Sequence, residues 1–378
     1  MSPHEQRVVD IHFHAGLVGD RWPQWGKLSE HFRRQIAYAG FLAYARIRRE
    51  DVSDPVLREA TERVIGSCAE VDQIVCLALD CVVDPDGRER LDRTHMWVAN
   101  EYVQELRRTL PGKVLFGASV HPYRSDFEER VRACVGNGAV LLKWLPSAMG
   151  IDLADPRIAA RLRFLATARD GRPLPLLLHC GPEYAIPPVE AGSATLDWLS
   201  CEPWERLAGR LRLGRGWRAP RADAIRDNLR AGLQAGATVI FAHCGFPYFA
   251  SGPLGRIVEH SEAATVRAFL GGNPAGGDVA GCCFADVSAC CTPFRRPLFD
   301  EIRALPDRFL LFGSDFPTPV FELSAGRKEV EADFRAVLCG ELDRIIIPED
   351  NLVDVNYREL RHFFPGHALF TNFNRLLI

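Results

Sequence analysis

The 378-residue sequence lacks long apolar runs and long basic runs. No apolar segment approaches the roughly 18 to 20 residues of a membrane-spanning helix, so we expect no membrane span. The formal net charge is -3, and no run of lysine and arginine is long enough to form a basic arm. This charge pattern argues against nucleic acid as a partner and leaves a small molecule as the expected one. The oligomeric state stays open, and a homo-oligomer is compatible with the sequence.

The twelve cysteines lack the Cys-x-x-Cys spacing of zinc sites, and no signal-peptide pattern precedes them. Several lie inside or beside apolar runs, as do Cys76, Cys180, Cys244, Cys283 and Cys290. In so long a chain, this distribution indicates free thiols rather than a disulfide framework. We therefore expect a cytoplasmic protein in a reducing environment.

Eight short apolar runs alternate with helical patterns along the chain. They cover residues 7–14, 73–80, 114–120, 139–146, 174–181, 238–245, 283–289 and 309–317. Nearly continuous apolar runs of this length are typical of strands buried on both faces in a parallel sheet. An open doubly wound sheet would usually show a glycine-rich phosphate-binding turn after its first strand, which residues 15–19 do not match. We therefore predict an α/β protein with a (β/α)8 TIM barrel.

The predicted barrel forms one domain over residues 1–378 with two long insertions. Residues 15–72 follow strand one and residues 182–236 follow strand five, and both are longer than a usual strand-to-helix loop. We predict that both are lids, and that residues 356–378 form a closing helical segment. Trp22 and Tyr184, which lie in these lids, are candidate substrate contacts.

Polar side chains lie at the ends of several predicted strands. Asp10, His12 and His14 alternate in strand one, so they project to the same face, and a His-x-His pair suits a divalent metal ion. The carboxyl ends of barrel strands meet at one rim, which brings further strand-end residues to the same place. The polar residues brought to this rim are His12, His14, Lys143, His179, His243 and Asp315, and together they indicate a metal site. His121 and Asp286 also end strands, and with Asp10 they are candidates for substrate binding or for orienting a ligand.

These motifs, taken in order, resemble those of the amidohydrolase superfamily, and within it the amidohydrolase-related branch of TIM-barrel metal-dependent hydrolases. They are Asp10-x-His12-x-His14, Lys143-Trp144-Leu145-Pro146, Leu178-His179, Ala242-His243-Cys244-Gly245 and Gly313-Ser314-Asp315-Phe316-Pro317. The resemblance implies that His12, His14 and Asp315 bind a first metal ion. It implies that His179 and His243 bind a second one. It also implies that Lys143 becomes a carbamate that bridges both ions.

The resemblance implies a metal-dependent hydrolase that cleaves an amide, lactone or ester bond, with Asp315 as the catalytic proton acceptor and donor. Zinc is the expected ion, with manganese, cobalt or iron as alternatives. One or two ions can be present, and two are favoured if Lys143 is carboxylated. The nearest alternative is a mononuclear decarboxylase of the same branch, which needs no strand-four lysine. A barrel that only binds a metal or a ligand is a further alternative, although it would be expected to lose Asp315 first.

Overall fold

The computed structural model describes residues 6–183, 185–200, 221–247, 261–274, 279–291, 295, 298–318 and 350–377. The strands in this part of the chain are β1 (Val9–His14), β2 (Gly26–Leu28), β3 (Gln73–Leu77), β4 (Met96–Val98), β5 (Val114–Ala118), β6 (Ala139–Trp144), β7 (Leu176–Leu178), β8 (Val239–Phe241), β9 (Cys283–Asp286) and β10 (Leu310–Leu311). Eight of them form one sheet in the order β1-β3-β5-β6-β7-β8-β9-β10, and neighbours in it run parallel. All eight predicted strands are therefore confirmed.

The sheet closes on itself between its first and last strands. The backbone N–H of Ile11 donates to the carbonyl of Phe312 at 3.0 Å, and that of His14 donates to Phe316 at 2.9 Å. The rings of Phe13 and Phe316 stack with centroids 4.8 Å apart across this junction. Eight parallel strands that close in chain order define a TIM barrel, so the predicted fold is confirmed.

Helices lie between the strands along the chain. Their bounds are α1 (Glu30–Arg33), α2 (Ile36–Tyr44), α3 (Asp54–Ser67), α4 (Asn100–Thr109), α5 (Phe127–Gly136), α6 (Pro146–Met149), α7 (Pro156–Leu165), α8 (Ala222–Gln234), α9 (Ala263–Gly271), α10 (Phe299–Arg303), α11 (Leu352–Phe363) and α12 (Asn374–Leu377). Proline in the first turn starts α3, α6 and α7, where the missing N–H costs no helical hydrogen bond. None of the described helices is long and apolar enough to cross a membrane.

Two short strands depart from the predicted secondary structure. β2 and β4 form a separate antiparallel pair, in which Gly26 lies opposite Val98. Val98 had the spacing of the helix that carries Tyr102 and Leu106, but it belongs to β4, and α4 begins only at Asn100. β4 lies in a shorter apolar run than the eight predicted strands, and the spacing of Val98, Tyr102 and Leu106 matches a helix.

The two predicted lid segments differ in how much of them is described. Residues 15–72 contain β2 and the helices α1, α2 and α3. Of residues 182–236, the structure describes 182–183, 185–200 and 221–236, which include α8. Residues 201–220 and Tyr184 lie outside the described residues. The carboxylate of Asp54, at the start of α3, accepts hydrogen bonds from the backbone N–H groups of Gly19, Arg21 and Trp22. This contact fixes the beginning of the first segment against α3.

Candidate metal centre

His12 lies inside the barrel on β1, and a carboxylate from β9 sets its orientation. Its Nδ1–H donates to Asp286 Oδ2 at 2.9 Å. Asp286 Oδ1 accepts from the backbone N–H groups of His243 at 2.9 Å and Ser288 at 3.0 Å. Burial opposes the charge of Asp286, but His12, His243 and Ser288 together hold the pKa of this carboxyl well below its usual range. Because Nδ1 carries the proton, His12 Nε2 presents a lone pair to the centre of the barrel.

His243 is oriented by Ser288 in the same way. Its Nδ1 lies 2.8 Å from Ser288 Oγ and 3.1 Å from the Ser288 carbonyl oxygen, and the Ser288 hydroxyl itself donates to Asp286. The ring stacks on His12 with centroids 5.1 Å apart. Burial lowers the pKa of His243 to about 4, so the ring is neutral at pH 7. A neutral imidazole whose Nδ1 donates offers Nε2 as a metal ligand.

Asp315 faces the two histidines of β1. Its Oδ1 lies 3.4 Å from the Nε2 atoms of both His12 and His14, and its Oδ2 accepts from the hydroxyl of Thr318 at 2.9 Å. Burial alone would raise the pKa of Asp315, but His12, His243 and His14 hold it well below its usual range. Asp315 is therefore an anion beside a group of imidazoles, which is the charge pattern of a cation site.

The ends of three neighbouring strands adopt left-handed backbone conformations at this centre. The φ angles are 55° at His243, 53° at Ala289 and 59° at Asp315. Such conformations cost on the order of 1 to 3 kcal/mol for a non-glycine residue and are enriched at functional sites. Nearby, Gly313 allows close approach, because a Cβ atom there would lie 2.8 Å from His12 Cβ and 3.0 Å from Ser288 Cβ.

Lys143 is fully buried on β6 and points at the same histidine. Its Nζ lies 3.1 Å from His12 Nε2. Among the described residues no carboxylate lies within 4.0 Å of Nζ, so Lys143 forms no ion pair in this part of the chain. Burial lowers the pKa of Lys143, because the charged amine loses its hydration there.

His179 follows β7, next to a carboxylate that the sequence analysis missed. Glu183 Oε2 lies 3.4 Å from His179 Nε2, while Glu183 Oε1 accepts from the backbone N–H groups of Ala185 and Ile186. Burial raises the pKa of Glu183 to about 6. The sequence signal was only its position four residues after a strand-end histidine, in a segment read as a lid.

The described residues fit a divalent metal ion. One ligand atom each from His12, His243 and Asp315 lie within 4.8 Å of one another. His14 Nε2 lies 3.2 Å from His12 Nε2. His179 Nε2 is buried without a hydrogen-bond partner, which is costly for a polar atom unless a ligand satisfies it. The structure thus brings His12, His14, Lys143, His179, His243 and Asp315 together at one place.

Three further predicted residues lie elsewhere or act on the backbone. Asp10 lies beneath the centre, where Oδ1 accepts from the backbone N–H groups of His12 at 3.0 Å and Ser314 at 2.9 Å. His121 has both ring nitrogens engaged by main-chain atoms, and Trp22 lies against Trp25. Neither His121 nor Trp22 lies among the described residues that line the cavity, so a substrate contact for either stays a prediction.

A cavity of about 390 Å³ opens above the histidines. His12, His14, His179, His243, Glu183 and Asp315 form its floor. Parts of α1, α2 and α3, which belong to residues 15–72, form its walls, and the role of this segment as a lid stays a prediction. This volume is within the range of pockets for small molecules.

Comparison with solved structures gives matches along nearly the whole chain. A TIM-barrel protein from Bordetella bronchiseptica is 12% identical over 95% of this chain and 98% of its own, with a TM-score of 0.45. A putative 2-pyrone-4,6-dicarboxylic acid hydrolase from Pseudomonas putida is 15% identical over 95% and 98%, with a TM-score of 0.42. A 5-carboxyvanillate decarboxylase from Sphingomonas paucimobilis is 13% identical over 95% and 99%, with a TM-score of 0.43.

This chain is a TIM barrel. The closed order of its own eight strands establishes that fold. No protein-family model matches the sequence, and no curated protein matches it by sequence. The chemistry of this barrel therefore has to be argued from its own residues.

Proposed function

We propose that this TIM barrel is a metal-dependent enzyme of the amidohydrolase superfamily that hydrolyses an amide, lactone or ester bond of a small molecule. The observation that most supports a metal-dependent enzyme is the convergence of His12, His243 and Asp315 on the floor of the cavity. His12 and His243 both donate from Nδ1, so their Nε2 atoms are ready for a ligand. A site rich in imidazole with one carboxylate favours zinc, with manganese, cobalt or iron as alternatives.

Each side chain has a role in this hydrolysis. A divalent ion, when bound, would supply positive charge that polarises a carbonyl oxygen and lowers the pKa of a bound water molecule toward about 7. Asp315, an anion at pH 7, accepts the proton of the attacking water and then delivers it to the leaving group. Asp286 keeps His12 in the tautomer that can bind the ion. Glu183 lines the cavity beside His179, where it is available for contact with a substrate.

The number of ions depends on Lys143. We propose that its amine is carboxylated, and that the carbamate would supply oxygen ligands for two ions, one of which His12, His14 and Asp315 would hold and the other His179 and His243. An ammonium cannot bind a cation, whereas a carbamate supplies negative charge and two oxygen atoms. The burial of Lys143 and the absence of an ion pair in the described residues support an uncharged amine, which carboxylation requires.

A decarboxylase with one ion is the second candidate. The close grouping of His12, His243 and Asp315 favours it, because three ligand atoms within 4.8 Å suffice for a single ion. Release of carbon dioxide from an aromatic carboxylate, measured in parallel with ester, lactone and amide hydrolysis, distinguishes the two reactions.

Elemental analysis of the protein prepared without chelators tests the metal centre. We expect about one or two equivalents of a divalent metal in the wild type and loss of both metal and turnover in a His12→Ala, His14→Ala double variant. A double variant of the exposed residues His31 and His362, both changed to alanine, is the matched control and should keep its metal. Wild-type protein that contains only traces of metal, and that zinc, manganese and cobalt fail to reconstitute, would overturn the proposal.

A further inference from the structure

The cavity extends from the metal centre into an apolar region that the proposed chemistry does not use. Six side chains from α1, α2, α3 and β4 line this region: Phe32, Tyr38, Phe41, Leu42, Leu57 and Met96. The whole of α2, residues 36–44, contains no charged residue. We call this region the apolar chamber. It is continuous with the floor that carries the histidines, so one molecule can occupy both.

Charged groups in the described cavity lining lie on the floor or beside it. Arg295 is the one lysine or arginine among the described lining residues, and it is 3% exposed. Its guanidinium donates to the carbonyl oxygens of Pro247 at 3.0 Å, Ala289 at 3.1 Å and Phe246 at 3.4 Å. These main-chain contacts hold the arginine at the side of the centre, away from the helices. A carboxylate placed in the chamber would lose its hydration, and no lysine or arginine of the described residues lines the chamber itself, although Arg33 lies close to the Tyr38 hydroxyl.

The size of the cavity limits the molecule that fits. At about 390 Å³ the cavity lies near the lower end of the range for small-molecule pockets, about 300 to 1,000 Å³. Only the few atoms at the reacting bond can lie against the histidines and Asp315. The remainder must lie among the apolar side chains.

We infer, on the basis of the proposed function, that the substrate carries its scissile bond at one end of an uncharged aliphatic or aryl body that fills the apolar chamber. This class differs from the dicarboxylates, whose second anion would lie in the chamber. The preference has a measurable form, because burial of one methylene group contributes about 0.8 kcal/mol. Each methylene that enters the chamber therefore strengthens binding about fourfold.

Calorimetric titration with butanol, hexanol, octanol and decanol tests the chamber without any turnover. We expect the affinity to rise about fourfold for each methylene until the chamber is full, and then to level off. Phthalate and succinate, which carry two anions, should bind more weakly than octanol. The inference is wrong if either dianion binds more tightly than octanol, or if affinity does not change with chain length.

The same titrations with metal-stripped protein separate this inference from the proposed function. The alcohols are neutral and lie in the chamber, so their chain-length dependence should persist after the metal is removed. If elemental analysis finds no metal but the dependence remains, the proposed chemistry fails and the chamber stands. If metal and turnover are present but the dependence is missing, the chamber fails and the chemistry stands.

Two alanines of α2 give a matched pair of variants. Ala37 lines the cavity, whereas Ala39, on the same helix, does not. Ala37→Phe should shorten the alcohol at which the affinity levels off, with butanol binding unchanged, and Ala39→Phe should bind all four as the wild type does. If Ala37→Phe fails to fold, Leu57→Phe on α3 narrows the same chamber from the other side. A folded narrowing variant that binds decanol as tightly as the wild type places the alcohols elsewhere and overturns the inference.

Discussion

Asp286→Asn tests how the barrel prepares His12 as a metal ligand. In the wild type Asp286 Oδ1 accepts two backbone N–H groups, from His243 at 2.9 Å and Ser288 at 3.0 Å, while Oδ2 accepts His12 Nδ1–H at 2.9 Å. The two backbone donors fix an oxygen at the first position, so the asparagine must place its NH2 group toward His12. That group can only donate, and His12 must then present the Nδ1 lone pair and carry its proton on Nε2. The nitrogen that faces the centre would no longer be a ligand.

The expected loss is in metal affinity rather than in folding. Changing a residue that orients a metal ligand typically lowers metal affinity about 10- to 100-fold, which is about 1.4 to 2.7 kcal/mol. Affinity is measured by competition with a chromophoric chelator, and folding by circular dichroism and thermal melting. We expect a native spectrum together with the weakened metal binding.

Asp10→Asn provides the control for this experiment. Asp10 lies on the same strand as His12, but its Oδ1 accepts from the backbone N–H groups of His12 and Ser314 and not from a histidine ring. Burial raises the pKa of Asp10 to about 7, so the loss of its charge is a small change. We expect metal affinity close to that of the wild type. Wild-type affinity in Asp286→Asn, or an equal loss in Asp10→Asn, would refute the argument that the tautomer of His12 controls binding.

Three further predictions concern other buried ionisable side chains. Asparagine tolerates the φ of 59° at position 315, so Asp315→Asn should fold and retain its metal. Its turnover of the best ester or lactone should fall about 10²- to 10⁴-fold, because the amide cannot accept the proton. Near-normal turnover would assign the proton transfer to another residue. Lys143→Met should lower the metal content toward one equivalent. Bicarbonate should speed metal reconstitution of the metal-free wild type but not of the variant. Equal metal content in the wild type and the variant would exclude a carbamate shared by two ions. Arg124→Met leaves the carboxylate of Asp80, 8% exposed, without its two guanidinium hydrogen bonds, and should cost about 3 to 5 kcal/mol in denaturant unfolding at pH 7. Burial alone would raise the pKa of Asp80, but Arg124 holds it below its usual range. The stabilisation by this ion pair is therefore present above the unfolded pKa of about 3.9 and is lost as pH falls through the folded pKa. Equal stabilities of the variant and the wild type at pH 7 would contradict this prediction.

Strained backbone conformations occur at the strand ends that form the candidate metal centre. His243, Ala289 and Asp315 all adopt left-handed conformations at the carboxyl ends of β8, β9 and the segment after β10. The hydrogen bonds of Asp286 with His243 and Ser288, and of Asp315 N–H with the His12 carbonyl at 2.7 Å, hold this backbone in place. The free energy for these conformations comes from the packed barrel, which supports a preorganised site.

The sequence by itself determined the strands and the rim. A strand buried on both faces must be apolar over several residues, so β3, in which all five residues are buried, could be recognised without any partner. The alternation of His12 and His14 with Ile11 and Phe13 is equally local, because the side-chain period of a strand is two. β2 and β4 lack that signal, because neither lies in an apolar run as long as the runs that contain the equally short β7 and β8.

Only the tertiary structure decided which strand-end residues meet and how they are oriented. His12 and Asp286 are 274 positions apart, and no local pattern indicates that one donates to the other. His121 ends a strand as His179 does, yet its ring nitrogens contact the Met149 carbonyl and the Tyr123 N–H instead of the cavity. Position along a strand places a residue near the rim, whereas its side-chain direction depends on packing against other strands and loops. The hydrogen bonds that set the histidine tautomers and the apolar walls that α1, α2 and α3 bring over the centre arise only when the barrel closes.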